Sequence, residues 1–68
     1  MSDDIGERYR DFEVAHACVL AGHDVGVADR VRLFEARTRL QSHPKFDFAE
    51  YAKSVDRAFE SAKLLRLA

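Results

Sequence analysis

The stretch FDFAEYAKSVDRAFESAKLLRL, residues 46–67, decides the fold of this chain, because it carries both a start signal and a long apolar periodicity. With Asp47 as N-cap, its carboxylate can accept from the unpaired N–H groups of the first turn. Glu50 then stands at N3, in capping-box spacing, and Phe46 and Tyr51 stand at N′ and N4, where two apolar side chains staple the entering chain. Pro44 closes off whatever precedes.

At about 100° per residue, Phe48, Tyr51, Ala52, Val55, Ala58, Phe59, Ala62 and Leu65 fall within about 140° of one another. Glu50, Lys53, Asp56, Arg57, Glu60 and Ser61 take the opposite side. Burying Phe48, Val55, Phe59 and Leu65 supplies roughly 1.5–3 kcal/mol each before the entropy of ordering is charged. A membrane-surface helix would carry a predominantly basic polar face, whereas this one mixes signs. The spacing predicts a core-facing helix over about 47–67.

Upstream, the pattern gives two more helices. Residues Ser2 to Ala21 read as the first, over about 3–21. Ser2, Asp3 and Asp4 suit its N-terminus, and Asp4 with Glu7 repeats the capping-box spacing. Ile5, Tyr9, Phe12, Ala15, His16, Val19 and Leu20 line one face, and Gly22 is placed as C′ residue. His23 to Gly26 form a connection, which Asp24 would shorten if it capped an earlier start. A second helix covers about 27–41, and Ser42-His43-Pro44-Lys45 is the next break. Three helices with short connections predict an all-α, three-helix bundle forming a single domain over 1–68.

The second helix departs from a simple bundle. Val27, Val31, Phe34 and Thr38 make one stripe, and Leu33, Ala36 and Leu40 make another on the far side, with Arg30 and Arg37 in one gap and Arg32 and Arg39 in the other. On the first helix, Val14, Ala17, Cys18 and Ala21 form a further stripe of mostly small residues, opposite the Phe12–Val19 face. A helix apolar on two faces has neighbours on two faces, and an exposed apolar patch is unusual on a soluble monomer. The bland explanation is a second helix wedged between the other two. The sharper expectation is an interface, formed by Val14, Ala17, Cys18 and Ala21 with Leu33, Ala36 and Leu40, through which helices 1 and 2 self-associate as a homodimer or dock on a larger protein.

Composition bounds the function classes. Of 68 residues, 47% are hydrophobic and 34% charged, which describes a globular chain of a size where one core barely suffices. Eleven basic against twelve acidic residues leave a net charge of −1, so nothing global favours nucleic acid or an anionic membrane. The single cysteine excludes an intramolecular disulfide, and no Cys/His spacing suggests zinc; no cofactor or metal is expected. An acidic N-terminus without an apolar run gives no signal peptide, and no stretch approaches ~20 apolar residues, so the expectation is a cytoplasmic protein with no membrane partner. Eight arginines against three lysines fit a GC-rich bacterial or phage gene.

Individual residues add little chemistry. His16 reads as a core histidine hydrogen-bonded to a neighbour. His23 and His43 read as helix-end caps, and Cys18 as a small buried hydrophobe facing away from His16. The isolated glycines make no phosphate loop, and 68 residues leave little room for a ligand pocket, so catalysis is not expected. An accessory enzyme subunit would require a pocket around His16. Arg30, Arg32, Arg37 and Arg39 are candidate contacts to an anion, nucleic acid or an acidic partner. They fall in two opposed pairs diluted by Asp29 and Glu35, which favours arginine stems covering the apolar stripes instead. Cys18, Gly22, Ala28 and Val31 loosely fit a helix-turn-helix, but Val25 to Asp29 offers almost no side chain to read base edges.

Overall fold

A computed structural model describes residues 4–22 and 26–67, with Leu67 described by its backbone alone. The suggested caps Ser2 and Asp3 and the connection residues His23 and Asp24 lie outside that range. The chain forms α1 (Ile5–Ala21), α2 (Val27–Gln41) and α3 (Phe48–Leu67), the all-α three-helix arrangement that the periodicity implies. The helix ends follow from local chemistry. Asp4 accepts from the Gly6 N–H at 2.9 Å, and Asp29 accepts from the Gly26 N–H at 3.3 Å. Gly22 closes α1 at φ 72°, a left-handed conformation that glycine enters without steric penalty, and its N–H reaches the Val19 carbonyl.

The start of α3 is half as expected. Asp47 Oδ1 accepts from the Ala49 N–H at 3.0 Å, and the staple is made, with the Phe46 and Tyr51 rings 5.6 Å apart. The capping-box return is not: the Asp47 N–H donates to the Tyr9 hydroxyl at 3.1 Å, and Glu50 pairs with Lys53. The same Tyr9 hydroxyl donates to the Asp47 carbonyl at 3.0 Å, so one α1 side chain replaces the local partner and ties α3 to α1.

Both outer helices pack on α1, and among the described residues they do not pack on one another. The expectation of α2 wedged between the other two is therefore corrected: α1 is the helix in the middle. Its two contact sides are set by Ala15 and Ala17, both buried, which the helical repeat places about 160° apart. Such small side chains let a neighbouring backbone approach closely. On the Ala15 side, Arg8 donates to the Arg39 carbonyl at 2.6 Å, placing a cation at the negative C-terminal end of α2. On the other side, Arg66 donates to the Leu20 carbonyl at the C-terminal end of α1. These pairings make α1 and α2 antiparallel and α1 and α3 parallel.

Between α1 and α3 lies a polar clasp. Glu13 Oε1 accepts from Ser54 Oγ at 2.6 Å and from Arg57 Nε at 2.8 Å, and Ser54 is fully buried. This bond to Glu13 holds the Arg57 pKa above its ordinary value. The buried face of α3 accordingly runs through Ser54, Ala58 and Ala62, about 50° around the helix from the centre of the predicted stripe. Phe48, Phe59 and Leu65, expected in the core, remain substantially exposed, as does Ala52. The serine of the sequence is inside because a carboxylate is waiting for it.

Replacing Glu13 by Ala leaves the buried Ser54 hydroxyl without its acceptor and should lower unfolding free energy by about 1–2 kcal/mol. Lys53→Ala and Glu60→Ala break only exposed pairs and should stay within about 0.5 kcal/mol of the parent. Urea titration of the three variants provides the comparison.

Candidate association surfaces

The half-buried and buried positions of α2 are Asp29, Leu33, Ala36 and Leu40, spaced four, three and four residues apart and thus on one face. Leu40 is entirely inaccessible. Since α2 packs on α1 alone, this stripe is the internal one. Leu33, Ala36 and Leu40 were expected at a partner interface; the structure buries Leu40 and half-buries Leu33 and Ala36 on the side of α2 that faces α1. The rival stripe points outward: Val27 is 79% exposed, Val31 48% and Phe34 60%, and Thr38 is exposed beside them.

The residues expected on α1 divide similarly. Ala17 is buried and Ala21 half-buried, whereas Val14 and Cys18 are exposed, Cys18 contrary to the buried reading. Val14, Ala17 and Cys18 line one bank of an open groove of about 460 Å³, with Leu64 and Leu65 of α3 on the other. Leu64, which the α3 stripe leaves out, is 70% exposed. The groove brings three of the four expected α1 residues together with α3, not with α2.

All four candidate arginines are exposed. Arg37 lies over the Phe34 ring at 5.9 Å from its centroid, covering part of the outer stripe as its stem length allows. Arg32 and Arg39 join Arg8, Asp11 and Glu35 around a shallow groove between α1 and α2. Two carboxylates among three guanidiniums offset most of the positive charge there.

His16 is half-buried, with its ring 5.2 Å from that of Phe12 and 6.0 Å from that of Phe59. Its Nδ1 is buried and makes no hydrogen bond, contrary to the satisfied histidine expected. Burial, and secondarily the Arg37 charge, pull its pKa below the ordinary 6.5. His43 is buried in the turn after α2, where its Nδ1 accepts from the Lys45 N–H at 3.0 Å; it braces that turn, where a helix-end cap was expected.

Among the described residues no group of three or more His, Cys, Asp or Glu could hold a metal ion, and no helix is long and apolar enough to cross a membrane. No family model, curated protein or solved structure matches the chain.

The His16 environment sets a pH dependence of stability. The unfolded chain takes a proton on His16 near pH 6.5, and the folded chain only at lower pH. The stability that neutral His16 contributes is therefore present above about 6.5 and lost as pH falls toward the folded pKa. His16→Phe keeps the ring stacking and removes both this titration and the unpaired Nδ1. Urea unfolding at pH 7.5 and 5.0 should show the variant's advantage over the parent widening at the lower pH. An advantage unchanged between the two would rule out the titration.

Proposed function

We propose that this chain is a protein–protein association module without catalysis of its own, and that its first partner is a second copy of itself. The observation that carries this reading is the outer stripe of α2, where Val27, Val31 and Phe34 stand exposed on a helix whose other face is already used on α1. Two further facts support it. Of the larger apolar side chains among the described residues, only Phe12 and Leu40 are fully buried, with Ala15, Ala17, Ala58 and Ala62 making up the rest of the buried apolar core. A core so poor in large side chains is marginal for a chain of this length, and oligomerisation is a common remedy. The accessible surface of 4987 Å² also exceeds the ~4,400 Å² typical of a monomer of this mass.

Self-association is preferred over capture by another protein because a surface that supplements a thin core gains most from a partner present wherever the chain itself is. An identical chain is always available at the moment of synthesis. Docking on a larger protein through the groove of Val14, Ala17 and Cys18 is compatible with this reading as a later step.

Size-exclusion chromatography with light scattering, from 5 to about 500 µM in chain, on the order of weak-to-moderate affinities, should give a mass that rises to a dimer. A mass fixed at one chain throughout would end the self-association reading.

A further inference from the structure

The outer stripe of α2 is also a coiled-coil seam. Val27, Val31, Phe34, Thr38 and Gln41 are separated by four, three, four and three residues, the alternation of a and d positions. Val31 and Thr38 occupy a; Val27, Phe34 and Gln41 occupy d. This assignment puts Arg30 and Arg37 at g and Glu35 at e, all three exposed. The seam lies opposite Leu33, Ala36 and Leu40, so a second helix could lie along it without displacing α1.

We infer that two copies of this chain pair through α2 in parallel about a two-fold axis, with Arg30 of each facing Glu35 of the other. The inference rests on the association reading above and names the surface and the arrangement. Charge decides the direction. In a parallel pair, a g residue meets the e residue five positions later on the opposite helix, so Arg30 meets Glu35 of the second copy and the reciprocal contact follows by symmetry. In an antiparallel pair, g faces g and e faces e: in one register Arg30 would meet Arg37, and in the register one heptad along Arg37 would meet another Arg37 and Glu35 another Glu35. Opposed like charges select against that arrangement. The β-branched Val31 and Thr38 at a favour two strands over three. Side chains at e and g also set orientation more than affinity; affinity comes from Val27, Val31 and Phe34, the exposed large apolar side chains of α2.

The test uses the full chain and sedimentation equilibrium, with helicity checked by circular dichroism. Phe34→Glu, at an exposed position, should keep the helix content and weaken association at least tenfold. Arg30→Glu and Glu35→Arg should each weaken it several-fold, and the two together should restore it. Direction is read by a disulfide: in a Cys18→Ser background, Gln41→Cys places thiols beside each other across a parallel seam, and mild oxidation should yield a covalent dimer. An antiparallel pair centred on Phe34 separates these thiols by roughly 20 Å, from 1.5 Å per residue. A dimer indifferent to Phe34→Glu, or one in which Gln41→Cys does not cross-link, overturns the parallel α2 seam while leaving self-association standing. A strict monomer overturns both.

Discussion

The close approach that Ala15 and Ala17 permit on two sides of α1 governs the arrangement of everything else. Both are buried, and each allows a neighbouring helix to settle against the α1 backbone. On the α3 side Ala58 and Ala62 answer with equally small side chains; on the α2 side Ala36 stands in the middle of the internal stripe. Dispersion is gained by proximity here rather than by side-chain bulk. The consequence is that, among the described residues, α1 has neighbours on both sides while α2 and α3 each have only one, so each outer helix is left with an exposed face.

Polar contacts fix the registers that such small apolar contacts would leave loose. Tyr9 joins both backbone groups of Asp47, Glu13 gathers Ser54 and Arg57, and Arg8 and Arg66 reach helix C-terminal carbonyls. Three of these four anchors lie on α1. Sliding α3 by one turn would break three of them together, and Ser54 would lose its partner in a place where water does not compensate, while sliding α2 would break the Arg8 contact. An alanine-rich interface specifies distance; these side chains specify position.

The sequence made the helices legible and left their mutual orientation obscure, for reasons visible in particular residues. Helix ends depend on local chemistry, so the span of α2 and the Gly22 terminus could be read directly. The Phe46–Tyr51 staple is local too. The Asp47 cap was misjudged at its second bond because Tyr9, 38 residues earlier, outcompetes Glu50. The inner face of α3 is displaced for a similar reason: periodicity weighs Phe48 and Phe59 as core, but nothing local shows that Ser54 has a half-buried carboxylate on α1 to meet. On α2 both stripes were found and their roles exchanged. The stripe with Ala36 at its centre suits close packing on a helix that presents alanine, while the one with Phe34 and Thr38 does not; that was the available signal.

The distribution of bulk sharpens what remains. Of the five phenylalanines, Phe12 is fully buried and Phe46 half-buried, while Phe34 and Phe48 are mostly exposed and Phe59 about half so. A chain that buries four alanines and leaves three of its five phenylalanines exposed uses its large apolar side chains sparingly inside. Ring contacts continue that pattern outward, from Phe12 through His16 to Phe59 and from Tyr51 to Phe48. Rings held by neighbours on one side and open on the other lose less side-chain freedom when a partner arrives, which lowers the entropic cost of covering them. The same ordering makes them costly to leave in water, since an ordered apolar surface gains nothing from its rigidity until something packs on it. The thin core and the bulky exterior are thus one feature: the small residues that let α1 hold two helices are the reason the large ones had to face outward.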